Sequence, residues 1–281
     1  MSNELSKKMN GEKMNCKLLI TDIDDTLVYN AGAVSKRNAS AISCVRNAGV
    51  YVMLATGRSY LGAKRVVQEL NLDTYVITYG GAVIIDSKTE KPLFVTELDD
   101  SYIKEILDLA EQLGVHAHIY KNDCVIYEKS NPYVEMYTRT LNLPHRLDKD
   151  IRSRHWTEVP KVLIITEQEK VKDLLPIFKE HFEGRVHVSE SSPGFIEFNK
   201  MGINKGTASA MVAERLGFSR EQTAAIGDNT LDYQLIEWAG IGAVVENGND
   251  AVKAVADVII PSCRDDGVAW FIDNYVMNGI K

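Results

Sequence analysis

Short apolar runs that end in polar or acidic clusters recur along this chain. The first, Leu18-Leu19-Ile20, runs into Thr21-Asp22-Ile23-Asp24-Asp25-Thr26-Leu27. It reads as a buried strand opening into an acidic turn. Ser35 then predicts an N-cap for a helix to about Asn47, with Ala39, Ile42 and Val45 inward and Gly49 as its stop. Residues 50–55 form a second apolar strand ending in Thr56-Gly57-Arg58-Ser59. A helix to about Leu70 and a strand over 75–78 follow. Strand, helix, strand, helix, strand is the rhythm of a doubly wound parallel sheet, a Rossmann-like α/β core. Ligands in such sheets sit beyond the carboxyl ends of the strands, where Asp22, Asp24 and Thr56 all fall.

The pattern loosens after Gly80-Gly81. Residues 82–86 and 93–96 read as short strands and 101–113 as a helix. Strands over 115–120 and 124–128, joined by Lys121-Asn122-Asp123, read as a hairpin. A helix follows Pro132, and an irregular basic stretch leads to a strand over 159–166. Thr166-Glu167-Gln168-Glu169 predicts a capping box for a helix to about His181. Strands at 185–189 and 195–199 complete an insert. The parallel rhythm returns with a helix over 205–216, strands near 223–226, 241–245 and 258–259, and intervening helices. The expected organisation is a catalytic core of residues 15–86 and 195–281, and an α/β cap of 87–194 with a largely antiparallel sheet. Residues 1–14 are polar and read as a disordered leader.

With 281 residues, 45% of them hydrophobic, the chain can bury a large core or two. A net charge of −7 argues against nucleic acid or an anionic membrane as the main partner, but not against a phosphorylated small molecule. A bound cation and a few Lys or Arg invert the charge locally. The four cysteines, Cys16, Cys44, Cys124 and Cys263, are dispersed with no CxxC pair, which fits a reduced cytoplasmic protein. No signal-like or bilayer-spanning segment is present, and no obligatory protein partner is evident.

The acidic turn carries the chemistry. Three carboxylates within four residues at the end of a buried strand repel one another and resist desolvation, so a hard cation such as Mg²⁺ is expected to compensate. Read alone, the stretch is equally an acidic strand-to-loop turn. Other stretches narrow the choice. Asp22-Ile23-Asp24-Asp25-Thr26 resembles the D-x-D-x-T opening of the haloacid dehalogenase-like phosphatases. Ala55-Thr56-Gly57-Arg58, Lys205-Gly206-Thr207 and Gly227-Asp228-Asn229 with Asp232 resemble that family's three later motifs, in order, and Asp266-Gly267-Val268-Ala269 is similar to the tail of its Cof-type branch.

The resemblance implies a role for each residue. Asp22 is the nucleophile that forms an aspartyl phosphate, and Asp24 is the acid and then the base. Mg²⁺ is held by Asp22, the backbone of Asp24, and Asp228. Thr56, Gly57 and Lys205 contact the phosphoryl group. Thr26 and Asp232 support the site from behind, with Asn229 and Arg58 as weaker candidates. The plain alternatives are Thr56 as a turn former, Lys205 as a solvated helix residue and Asp228 as an N-cap. His116, His118 and Tyr120 share one strand face, which either reads the leaving group or is a solvated sheet face.

The chain departs from the Cof-type pattern at Gly80, where Asn is usual, at Leu231, where a polar residue is usual, and at Cys263, where Asn is common. The expected function is a Mg²⁺-dependent phosphatase of a small phosphorylated metabolite, a sugar phosphate or phosphorylated cofactor. The alternatives are a phosphotransferase or mutase using the same intermediate, and a catalytically weakened phospho-ligand sensor.

Overall fold

The structure, a computed structural model, describes residues 15–279 except Ala31. The leader expected over residues 1–14 lies outside the described residues. The chain divides into two compact units, one of Met1–Ala55, Val66–Val76 and Lys205–Lys281, the other of Thr56–Arg65 and Ile77–Asn204.

The chain opens with β1 (Leu18–Thr21), α1 (Lys36–Asn47), β2 (Tyr51–Ala55), α2 (Tyr60–Glu69), β3 (Tyr75–Thr78), β4 (Val83–Asp86) and β5 (Lys91–Val95). Ser35 caps α1 as its sequence predicts, its side chain accepting from the Asn38 amide. The inward face of α1 is Asn38, Ala41, Ile42 and Val45, and Ala39 is only half-buried. Asn38 tolerates burial because its amide donates to the Leu27 carbonyl and accepts from the Ala269 N–H.

The second unit continues with α3 (Asp100–Gln112), β6 (His116–Lys121), β7 (Cys124–Tyr127), α4 (Pro132–Thr140), β8 (His145–Leu147), β9 (Val162–Ile165), α5 (Gln168–His181), β10 (Val186–Ser192) and β11 (Phe195–Lys200). The first unit closes with α6 (Lys205–Leu216), β12 (Thr223–Gly227), α7 (Tyr233–Trp238), β13 (Ile241–Val245), α8 (Asp250–Lys253), β14 (Val258–Ile260) and α9 (Gly267–Phe271).

The larger sheet has eight strands in the order β14-β13-β12-β1-β2-β3-β4-β5. β1 pairs in parallel with both β2 and β12, which makes it the strand where the order reverses. Its four residues are wholly buried, as a central parallel strand requires. Thr21 lies level with Ile226, so the residues after β1 and β12 emerge together at one rim.

The smaller sheet runs β10-β11-β9-β6-β7-β8, antiparallel except for β7 with β8. Its register sorts the side chains into two faces. Ile119, Ile126, Val162, Ile164, Val188, Ile196 and Phe198 join α3 and α5 in one apolar core. The opposite face carries Ser189, Glu197, Leu163 and His118 in one cross-strand row, flanked by Lys161, Asn199, Tyr120 and His116. Four residues in a row therefore span four strands, and three of them are polar.

The capping box expected at Thr166 does not form. Thr166 gives its N–H to the Gly194 carbonyl as an extension of β9, so Glu167 takes the N-cap position without a side-chain cap bond. Its carboxylate pairs instead with Lys170. Ser219 and Gln222 form a capping box at the short turn before β12.

His116 and His118 are buried, not solvated, at 9% and 0% exposure. Asn131 fixes their tautomers. Its Oδ1 caps α4 by accepting from the Tyr133 and Val134 amides, so its Nδ2 donates to His116 Nδ1. His116 Nε2 then donates to His118 Nδ1 at 3.0 Å, and His118 Nε2 has no partner among the described residues. Burial pushes the His116 pKa down to about 4. His118 falls well below the usual range through burial, with His116 and Lys161 adding to it.

Both rings are neutral in the folded chain at neutral pH, while the unfolded chain takes up their protons near the ordinary value of 6.5. Stability is therefore complete above that value and is lost as pH falls from about 6.5 toward 4. The melting temperature should drop between about pH 6.5 and 5, a window above most carboxylate titration. The drop should be smaller in His118→Gln; an equal drop in both proteins would contradict the assignment.

Candidate active site

The acidic turn is built by packing at its ends. Ile23, Leu27 and Val28 are buried, and both Leu27 and Val28 return their N–H groups to the Ile23 carbonyl. Asp25 has φ 53° and gives its N–H to the Val28 carbonyl. An Asp tolerates that left-handed backbone better than most residues. The result buries Asp22, leaves Asp24 half-buried and exposes Asp25. Asn247 braces the turn, donating to the Asp25 carbonyl at 2.7 Å and accepting from the Cys263 amide.

The β12 end supplies the facing acids. Asp232 Oδ2 accepts the backbone N–H groups of Asp228 and Asn229, which folds residues 228–232 into a short turn. Gly227 permits this approach, because a Cβ there would lie 2.5 Å from the Asp232 side chain. Asn229, rather than Asp228, is the cap of that turn, accepting from the Leu231 amide while its Nδ2 reaches Asp228 Oδ1 at 3.3 Å. Thr26 Oγ1 donates to the same oxygen at 3.0 Å. The two motifs are thus joined by a side-chain bond across 202 residues.

Lys205, the first residue of α6, is not a solvated helix residue. It is 1% exposed, and its Nζ lies 2.6 Å from both Asp22 Oδ1 and Asp232 Oδ1. Burial alone lowers its pKa, but Asp22 and Asp232 outweigh that and hold it above the usual lysine range. Asp22 is pushed well up by burial and by Asp232, Asp228 and Asp24, with Lys205 opposing. Asp228 is raised by burial and by Asp232, with Lys205 and the Thr26 hydroxyl opposing.

Asp22, Asp228 and Asp232 bring carboxylate oxygens within 4.8 Å of one another. One ammonium balances one of three carboxylates. The remaining negative charge and the all-oxygen donor set suit a hard divalent cation.

Thr56, Gly57 and Arg58 lie in the second unit, on the segment after β2. Thr56 is buried, its N–H donating to the Ile77 carbonyl and its carbonyl accepting from Gly80. Arg58 turns away into the first turn of α2, donating to the Gly62 carbonyl. Gly80 has φ 66°, a conformation that Asn and Gly both adopt readily, so the departure from Asn leaves the backbone path unstrained. Asn199 supplies a side-chain amide there, donating to the Tyr79 and Pro160 carbonyls.

His116, His118 and Tyr120 are brought together, with Tyr120 hydrogen-bonded to Tyr137 and T-stacked on Tyr79. The sequence reading did not single out Lys161, Glu197, Asn199 or Tyr79 for this face. The available signal was a Lys and a Glu at the edge of or inside apolar strands, where neither belongs without a partner.

The haloacid dehalogenase-like hydrolase family profile matches residues 19–272. The chain is 29% identical over 268 residues to the 5-amino-6-(5-phospho-D-ribitylamino)uracil phosphatase YcsE of Bacillus subtilis, covering 95% of this chain and 98% of that one. It is 27% identical over 279 residues to the pyridoxal phosphate phosphatase YbhA of Escherichia coli, covering 94% and 100%. A haloacid dehalogenase-like hydrolase from Bacteroides thetaiotaomicron superposes with a TM-score of 0.81 at 26% identity, over 92% of this chain and 98% of that one. Among the described residues no helix is long and apolar enough to cross a membrane. A buried aspartate at the reversal of a parallel sheet, joined to Lys205 and facing two more aspartates, thus stands in a chain that belongs to the haloacid dehalogenase-like hydrolases and is a phosphoester hydrolase.

Proposed function

We propose that the protein is a cytoplasmic, Mg²⁺-dependent phosphomonoesterase acting on a small phosphorylated metabolite, of the sugar-phosphate or phosphorylated-cofactor kind. The observation that carries this reading is Asp22, buried at the carboxyl end of β1 and held at 2.6 Å by Lys205. The two phosphatases named above act by name on a phosphorylated ribityl compound and a phosphorylated cofactor, which supports the substrate class. The free state of Cys16, Cys44, Cys124 and Cys263 supports a reducing setting. Residues 15–86 and 195–281 are the proposed catalytic core and 87–194 the proposed cap.

In the mechanism, an Asp22 carboxylate oxygen attacks phosphorus, the P–O bond to the leaving group breaks, and Asp24 protonates the departing oxygen. Asp24, now a carboxylate, takes a proton from water as that water attacks phosphorus. Orthophosphate leaves and the Asp22 carboxylate returns. Lys205 opposes the burial that disfavours the Asp22 carboxylate. Thr56 and Gly57 are the proposed neutral donors to phosphoryl oxygens. Asp22, the Asp24 backbone and Asp228 would hold Mg²⁺, with Asp232 behind them. When bound, the ion neutralises the carboxylate cluster and lets an anionic nucleophile meet an anionic ester.

The direct test is phosphate release from a panel of phosphorylated metabolites, with and without Mg²⁺. Asp22→Asn should abolish release while leaving the fold intact; release at the wild-type rate would refute the covalent route. Chelation should both stop turnover and lower the melting temperature, since Asp22, Asp228 and Asp232 keep only Lys205 for compensation. Ca²⁺ should restore the melting temperature better than the rate, because its looser coordination misplaces the attacking oxygen. A melting temperature indifferent to chelator would argue against a shared metal.

The Leu231 position makes a finer distinction. Asn229 both caps the 228–232 turn and donates to Asp228, so it supplies a polar contact that Leu231 does not make. Asn229→Ala should cost about 10–100-fold in metal affinity or activity. Leu231→Asn should be neutral or harmful. A gain in kcat/KM from Leu231→Asn with a silent Asn229→Ala would reverse that assignment.

A further inference from the structure

Lys161 is 2% exposed, and its ammonium donates to Glu197 Oε1 at 2.7 Å and to the Gly57 carbonyl at 3.0 Å. The rings of Tyr120 and Tyr79 flank it, with centroids 5.4 Å and 5.8 Å away. As a stabilising contact this pair is poorly chosen. Desolvating two charges costs nearly what their attraction returns, and Glu197 Oε2 is buried with no hydrogen-bond partner among the described residues.

The pair does hold one of the two peptide planes of the Thr56–Arg58 loop. In a trans peptide the carbonyl and the N–H point to opposite sides. The Thr56 carbonyl is held by the Gly80 N–H at 3.0 Å, which turns the Gly57 N–H away from that contact. The Gly57 carbonyl is held by Lys161, which turns the Arg58 N–H the other way, onto Thr56 Oγ1 at 3.1 Å. Because Thr56 Oγ1 accepts that bond, its own proton is left to donate. Both donors proposed for the phosphoryl group are therefore aimed by carbonyls locked behind them.

We propose that Lys161 is a positioning residue for the phosphate-binding loop. Held by Glu197 and the faces of Tyr79 and Tyr120, it fixes the Gly57–Arg58 peptide so that the Arg58 N–H engages Thr56 Oγ1 and the Thr56 hydroxyl proton is left to meet a phosphoryl group. The inference rests on the assignment of Thr56 and Gly57 made above. The substrate does not touch Lys161, which acts through Gly57.

The test compares wild type with Lys161→Met and with Lys161→Met/Glu197→Gln. Melting temperature, kcat, KM on the best ester, and inhibition by inorganic phosphate are measured for each. The single variant should lose stability, because it strands a buried carboxylate. The double variant removes that charge and should recover most of the melting temperature. Both should nevertheless lose kcat/KM on the order of 100-fold and bind inorganic phosphate more weakly, since displaced donors no longer meet the phosphoryl oxygens. A stable double variant with wild-type kcat/KM and phosphate inhibition would overturn the inference alone. A wild type that neither releases nor binds phosphate would overturn the loop assignment, and this inference with it.

Discussion

The first unit is organised around one buried ammonium. Lys205 sits between Asp22 and Asp232, and neither it nor its partners are more than 2% exposed. Removing such a group would leave uncompensated charge, at a cost of about 3–5 kcal/mol. The other constraints follow from it. Asp232 must approach closely, so residue 227 is Gly. Its second oxygen is then committed to the Asp228 and Asn229 amides, which aims Asp228 back toward Asp22. Thr26 closes the circuit from the β1 side. Three carboxylates gathered around one ammonium leave negative charge that a divalent cation would offset.

The second unit solves a different problem with the same means. One face of its sheet is an ordinary apolar core against α3 and α5. The other buries histidines, tyrosines, a lysine and a glutamate, and leaves His118 Nε2, Glu197 Oε2 and Ser189 Oγ in one cross-strand row without partners among the described residues. Such a face contributes little to stability. It carries the Lys161–Glu197 ion pair, and the contact of Lys161 with Gly57 ties the sheet to the loop that carries Thr56.

Much of this was legible beforehand, for physical reasons that can be named. The parallel strands are continuous apolar runs, and the motif residues follow those runs directly, so β1, β2, β12 and the positions of Asp22, Thr56 and Asp228 could be read without coordinates. Ser35 and Lys205 marked helix starts correctly because those signals are local. Thr166 misled because its amide was claimed by Gly194, a partner 28 residues away in sequence. The fate of the His116 face was open because alternation defines a face but not what covers it. Lys161, Glu197 and Gly57 were invisible as a unit, since only strand register and the loop path bring three distant residues to one ammonium. Long-range polar contacts leave no periodic trace.

The central claim is that Asp22 becomes phosphorylated. Asp24→Asn should slow hydrolysis of the intermediate by removing the base, while an aryl phosphate with a good leaving group still permits the first step without the acid. Mass spectrometry of this variant, mixed with such an ester and quenched in acid, should find one phosphoryl group per chain on the peptide that contains Asp22. A phosphoryl group on another residue, or none while aryl alcohol is released in a burst, would contradict the account.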